Sequence, residues 1–336
     1  MTSNLQSDDL VHHEDSISDI VNGLNETLES SNFFDSTWQK NKIVLRNQFT
    51  QLQLDQIFPL DLFDMLLTSG GIVSPHLDIV LGGKKMPAPM LQSPSPGTNV
   101  KYLIDKLDGG ATLRLPHIEQ HMNPLADFCR DFERIIGMPI RANLYLTPAF
   151  SQGFKPHYDL DDIFVIQVLG NKTWTLHPDY SNQVSLPNRE QDFNENIHKP
   201  QGVPYEELLE SGDLLYLPRG FMHEARTEEK LSIHITFAVI GMTCADVIHR
   251  MIDLAALNDE RLRFRYGVNA TSTDHKNSEQ ISTISRHIND ICPSFLNRSL
   301  LVETIDRMRN TLLNHRNPDM RGHLLDRLVR STETER

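Results

Sequence analysis

The sequence predicts a mainly β fold with α additions: an antiparallel barrel or jelly roll, with a C-terminal α-helical module. Three observations predict it. Five short apolar segments between 141 and 240 follow one another with no helical pattern between them, which is how antiparallel closed sheets read. Beyond Ala245 the texture changes to segments of helical period, ADVIHRMIDLAAL, SEQISTISRHIND, SLLVETIDRMRNTLLNH and GHLLDRLVR. Charge is nearly balanced there, whereas the first 39 residues carry acids but no Lys or Arg.

In chain order, Ile17, Ile20, Val21, Leu24 and Leu28 fall at helical spacing, so a short amphipathic helix is expected within 16–30. The segment FFDSTWQKNKIVLRNQ, 33–48, reads as an aromatic turn of helix running into a short strand. A helix is expected at 60–69, capped by Asp61. The stretch GKKMPAPMLQSPSPGT, 83–98, holds four prolines and reads as a loop beside the active site. PLADFCRDFERII, 124–136, reads as a helix with Pro124 in its first turn, Cys129 in the core and Gly137 as its stop. The strands that follow are expected at 141–147, 162–169, 172–178, 213–218 and 231–240, with Leu169, Gly170 and Asn171 as a hairpin signal. Three regions are drawn: an acidic N-terminal segment at 1–34, a β domain at 35–243 and a helical module at 244–336.

The 336 residues suffice for one large domain with appendages. A formal net charge of −13 argues against direct nucleic-acid binding, which needs basic surface. The three cysteines, Cys129, Cys244 and Cys292, lack metal-finger spacing and suit a reducing compartment. The polar, acidic N-terminus lacks the features of a secretory signal, and no apolar run approaches the roughly 20 residues of a membrane span. A cytoplasmic protein is the expectation.

The chemistry concentrates in PHYDLDDIFVIQVLGNKTW and GDLLYLPRGFMH. His157 and Asp159 are two apart, so on a strand both point to one face. His223 follows a strand and a turn forced by Pro218 and Gly220, which delivers it to a strand rim. Two imidazoles and one carboxylate hold a divalent iron by one face and leave the other open, the 2-His-1-carboxylate pattern of non-haem Fe(II) oxygenases. Zinc fits such a set less well here, because no base stands beside it. Elsewhere, Asn143 and Tyr145 alternate with Leu144 and Leu146, and Ser232, His234 and Thr236 share one face of SIHITF. His234 is then either a group beside the iron or a core histidine, and Trp174 is expected to pack.

These stretches resemble the JmjC-type cupin oxygenases, in particular the ribosomal oxygenase group. STWQKNKIVLR looks like the group's tryptophan-lysine motif, and GATLRL, ANLYLTPAFSQGFKPHYDLDDIFVIQVLGNKTW and SGDLLYLPRGFMHEA follow in the family's order. The resemblance spans about 35–240. It implies a double-stranded β-helix, the jelly roll of cupins, and an Fe(II)- and 2-oxoglutarate-dependent hydroxylase consuming O2. It places Lys172, 15 residues beyond His157, opposite the distal carboxylate of 2-oxoglutarate, and Asn143 and Tyr145 near the co-substrate or target. The implied substrate is a side chain of a protein or peptide, such as a ribosomal protein. A free amino acid or natural product is the alternative, and a non-catalytic cupin the third reading. Asp161 stands where many relatives carry a second histidine, and Ala238 where some carry a substrate-facing serine. The helical tail, with its stripe of Leu300, Leu301, Ile305, Met308 and Leu312, is expected to pack the module or a homodimer.

Overall fold

The computed structural model describes residues 15–69, 77–86, 99–265, 275–295 and 297–313. Residues 87–98 of the proline-rich loop and the GHLLDRLVR segment lie outside them. The described chain divides into two compact units, 1–136 with 140–240, and 137–139 with 241–336.

The first unit opens with α1 (Ile17–Ser30), whose Ser16 and Asp19 form a reciprocal cap and whose Ile20, Val21, Leu24 and Leu28 are buried. It lies on the later helix Asn123–Ile136, with Ser18 Oγ donating to Asp131 at 2.7 Å. Then come α2 (Phe33–Ser36), β1 (Ile43–Leu45), α3 (Gln51–Ile57) and α4 (Leu60–Thr68). Helix α4 is preceded by Pro59, not capped by Asp61 as expected; Asp61 sits inside the first turn, where a carboxylate favours the helix dipole. Next are β2 (Asp78–Leu81), β3 (Lys84–Lys85), α5 (Val100–Asp108), β4 (Thr112–Leu115) and α6 (Asn123–Ile136). Lys84 and Lys85 are thus strand residues paired to β2 rather than loop. The strands continue as β5 (Ile140–Thr147), β6 (Asp162–Leu169), β7 (Asn171–His177), β8 (Asp179–Tyr180), β9 (Pro200–Gln201), β10 (Tyr205–Glu210), β11 (Leu214–Leu217), β12 (Met222–Arg226) and β13 (Ser232–Val239).

All strand pairs among these residues are antiparallel. One sheet runs β1-β11-β6-β13-β5-β4-β2-β3, a second β10-β7-β12, and β8 pairs with β9. The expected hairpin at Leu169-Gly170-Asn171 is a corner instead. Strand β6 pairs with β11 and β13, while β7 pairs with β10 and β12 in the other sheet. Gly170 turns that corner at φ 67°, and a Cβ there would sit 2.0 Å from the Leu231 carbonyl oxygen, so only glycine fits.

The middle of the large sheet, β11, β6 and β13, is buried on both faces. Ile163 and Val165 of β6 meet Trp174, Leu176 and Leu209 of the small sheet. On the opposite face, Phe164 and Tyr216 pack against Phe33 of α2, Trp38 of the turn after it and Phe132 of α6, with ring centroids 4.9–6.3 Å apart. This two-sided burial is why DIFVIQVL reads as an apolar run rather than an alternation. Truncating a fully buried ring such as Phe164 costs about 3–5 kcal/mol. Strand β10, YEELLE, escapes a hydrophobic reading because its glutamates answer cations: Glu206 pairs with Arg226, and Glu207 with Lys42 and Arg46.

The second unit holds α7 (Cys244–Asn258), α8 (His275–Phe295) and α9 (Arg298–Leu313). Thr243 and Asp246 cap α7 reciprocally, and Met251, Leu254, Ile291 and Thr304 are buried within the unit. Among the described residues no helix is long and apolar enough to cross a membrane.

Candidate metal centre and adjoining cavity

His157, Asp159 and His223 come together, each offering one ligand atom within 4.8 Å of the others. Asp159 Oδ1 lies 3.9 Å from His157 Nε2 and Asp159 Oδ2 lies 3.7 Å from His223 Nε2. The strand expected to carry both His157 and Asp159 does not form. His157 makes an isolated bridge to His223, and Asp159 lies outside any strand. The bridge is nonetheless two-way: His157 N donates to His223 O at 3.0 Å and His223 N to His157 O at 2.7 Å. Gly220 N donates to Asp159 O at 3.0 Å, so the turn before β12 also holds the carboxylate's backbone.

Each imidazole is oriented by its own chain. His157 Nδ1 faces Lys155 O at 2.8 Å, and His223 Nδ1 faces Phe221 O at 2.9 Å. A ring that donates through Nδ1 presents the Nε2 lone pair, the arrangement metal-ligating histidines use. Burial, and next the neighbouring His157, push His223 down to about 4, so its ring is neutral and free to ligate. Two nitrogen donors and a carboxylate oxygen suit a divalent transition metal with an open coordination face.

The three side chains sit at one part of a cavity of about 810 Å³. Tyr145, Lys172, Trp174, His234 and Thr236 line it too, and Lys84, Lys85, Asp192 and Glu195 are also in its wall. Lys172 is 3% exposed, and burial pulls its ammonium down to about 7. Its Nζ donates to Thr147 Oγ1 at 2.8 Å, which lies 3.1 Å from Thr112 Oγ1; no ion pair engages it among the described residues. A buried cation with room beside it is a seat for a carboxylate.

Tyr145 stacks on His234 with centroids 4.8 Å apart and planes 7° apart. Arg114 Nε donates to the Tyr145 hydroxyl at 3.3 Å and Arg114 also pairs with Asp78 at 2.8 Å. Burial, and after it Lys172 and His223, push His234 well below the ordinary histidine range. His234 Nδ1 and Trp174 Nε1 are buried without a hydrogen-bond partner among the described residues. Trp174 packs as expected, 5.6 Å from the His223 ring, but it also lines the cavity. Asn143 shares a strand face with Tyr145 but is not among the lining residues. Asp161 points to Arg141, 3.4 Å away, and Ala238 is buried between the sheets.

Thr147, Thr112 and Arg114 were not singled out from the sequence. Thr147 continues the alternation that flagged Asn143 and Tyr145, so that signal was present. Arg114 and Thr112 reach the cavity only because β4 pairs with β5, a contact no local pattern encodes.

Comparison with known proteins bears on this arrangement. Residues 117–247 match the family model of the JmjC domain. Over 252 residues the chain is 31% identical to the bifunctional lysine-specific demethylase and histidyl-hydroxylase NO66 of Drosophila mojavensis, covering 71% of this chain and 27% of that protein. Over 166 residues it is 37% identical to NO66 of Dictyostelium discoideum, covering 47% of this chain and 32% of that protein. The chain thus spans about a third or less of the length of these relatives. Its backbone is similar to the X-ray structure of YcfD from E. coli, with a TM-score of 0.54 at 16% identity, covering 83% of this chain and 71% of that one. A structure of YcfD described as a ribosomal oxygenase from Escherichia coli, in complex with cobalt and succinic acid, gives 0.52 at 16% identity, covering 84% and 71%. At such identity the likeness speaks to the fold, a cupin fold of antiparallel sheets with C-terminal helices. The chain is a JmjC-domain protein, related in sequence to NO66 and alike in fold to YcfD.

Proposed function

We propose that this chain is an Fe(II)- and 2-oxoglutarate-dependent oxygenase that hydroxylates a side chain of a protein or peptide, releasing succinate and CO2. The observation that carries the reading is the shared cavity: a His157/Asp159/His223 triad and the buried cation of Lys172, with no ion pair among the described residues, line one space. The large sheet and the three-stranded sheet are read as the two faces of a double-stranded β-helix around that space.

In this reading His157, Asp159 and His223 hold the iron. When bound, it supplies the activation of O2 that a C–H hydroxylation requires. The protein's own residues bind and orient. Lys172 pairs with the distal carboxylate of 2-oxoglutarate, with Thr147 beside it. Trp174, Tyr145 and His234 shape the co-substrate end, and the neutral His234 ring leaves the negative charge there to Lys172. The apolar wall from Ile163, Trp174 and Ala225 excludes water. No acid or base is needed for a C–H step, so none is assigned.

A ribosomal protein is the proposed substrate class, because NO66 is described as a histidyl-hydroxylase and YcfD as a ribosomal oxygenase. We also propose self-association through the helical unit, which exposes Ile281, Ile288, Val302 and Ile305. The test is incubation with iron, 2-oxoglutarate and ribosomal proteins, read by mass spectrometry and succinate release. A product heavier by about 16 Da, one oxygen atom, with stoichiometric succinate is expected. Succinate with no protein product would redirect the substrate to a small molecule, and no succinate at all would overturn the reading.

A further inference from the structure

We propose that Glu224 and Gln152 form a staple that aims His157 at the metal, making both of them positioning residues of the centre. The proposal rests on the assignment of His157, Asp159 and His223 as ligands. The segment carrying His157 runs antiparallel beside β12 but pairs with it only at two points, Gln152 opposite Arg226 and His157 opposite His223. Between those bridges lie Gly153, Phe154, Lys155 and Pro156 on one side, against Glu224 and Ala225 on the other. The surplus makes a bulge, a device that re-aims a side chain.

Three carbonyls of the bulge have turned to specific donors. Gly153 O accepts from Gly83 N at 3.1 Å, Phe154 O from Gln152 Nε2 at 3.0 Å, and Lys155 O from His157 Nδ1 at 2.8 Å. The last contact sets the tautomer and ring plane of His157, so the shape of the bulge is the aim of the ligand. No ladder bond spans the bulge between its two bridges. The Gln152 amide does the spanning: besides Phe154 O, its Nε2 donates to Glu224 Oε2 at 2.6 Å.

Glu224 is fixed in turn from the small sheet. Its Oε1 accepts from His177 Nε2 at 3.2 Å, and His177 is 6% exposed with no partner for Nδ1 among the described residues. On β12, Glu224 follows His223 and faces the other way, as strand alternation requires. One carboxylate therefore ties the His157 loop to β12, which bears His223, and to β7, which bears Lys172. Packing holds the loop from the far side: a Cβ on Gly153 would lie 2.8 Å from Thr112 Oγ1.

The experiment uses the full chain and Co(II) as the probe. Glu224→Ala and Gln152→Ala are compared with wild type by calorimetric Co(II) titration, by the visible spectrum of the bound ion, and by melting of the metal-free protein. The staple predicts a Co(II) dissociation constant raised about 10- to 100-fold in each, an altered spectrum, and melting close to wild type. The double variant is expected to lose less affinity than the product of the two single losses, since the Gln152–Glu224 contact is shared. Glu224→Gln, which keeps an acceptor oxygen, should recover part of the affinity. Unchanged affinity and spectrum in the folded alanine variants would overturn the proposal. Should Glu224→Ala not fold, Gln152→Ala carries the same readings, because it leaves the Glu224–His177 bond in place. His157→Ala separates the two claims. If it binds Co(II) as wild type does, the ligand assignment itself fails; if it alone loses binding, only the staple fails.

Discussion

At the metal end of the cavity both imidazoles spend Nδ1 on backbone carbonyls, and Asp159 stays 39% exposed. At the Lys172 end the ammonium is buried with one hydroxyl partner, and His234 Nδ1 and Trp174 Nε1 have none among the described residues. Buried polar groups left unpaired are costly, so such a cluster in a cavity wall marks where a ligand completes the bonding. On the proposed function, the contrast separates a preset coordination cage, built from backbone geometry, from a binding seat whose energetics depend on an incoming anion. Alterations at the two ends should therefore fail differently.

The largest effect is expected at the cage. His157→Ala or Asp159→Ala should reduce succinate formation to background while circular dichroism and melting stay close to wild type, because neither side chain is core. Retained turnover in either would place the metal elsewhere. At the seat, Lys172→Ala should raise the KM for 2-oxoglutarate about 10- to 100-fold, the worth of a charge-assisted contact of about 1.5–3 kcal/mol, with a smaller change in kcat. An unchanged KM would remove Lys172 from the co-substrate site.

Acidity offers a finer separation. Burial holds Lys172 at about 7, below the ordinary lysine value, so in the free protein it loses its proton as pH rises through that value. A carboxylate needs the charged form. The dissociation constant for 2-oxoglutarate is thus expected to be flat on the acid side of 7 and to rise by up to about tenfold per unit above it. Calorimetry across that range checks this, and a flat profile through pH 9, roughly two units higher, would contradict it. The smallest change is expected for Tyr145→Phe, which removes the hydroxyl that Arg114 contacts but keeps the stack on His234. A loss of about fivefold in kcat/KM, equivalent to about 1 kcal/mol, is predicted by steady-state kinetics.

The cage was legible in the sequence and the seat only in part, for a physical reason. His157 and Asp159 are neighbours in the chain, and Pro218 and Gly220 announce the turn before His223. Lys172 reads alone as a solvated turn residue in GNKTW, and only the family resemblance lifted it. Its burial depends on the corner at Gly170 carrying β7 into a different sheet from β6. A local reading takes that corner for a hairpin, since turn chemistry is the same in both. The strands of high β-propensity were found within a residue or two, whereas β10 and β12 were hidden by glutamates that ion pairs satisfy across strands. The bulge after Gln152 was likewise invisible, because nothing in SQGFKPH distinguishes four residues opposite two from a regular pairing.

The central claim is that one cavity holds iron on His157, Asp159 and His223 and 2-oxoglutarate on that iron and Lys172. Its most direct test is an anaerobic titration of the Fe(II)-loaded protein with 2-oxoglutarate, followed by visible absorption. Chelation of the metal by the keto acid should produce a charge-transfer band that saturates, is absent in His157→Ala, and needs higher 2-oxoglutarate in Lys172→Ala. A protein that binds Fe(II) but develops no band at any 2-oxoglutarate concentration would contradict the account.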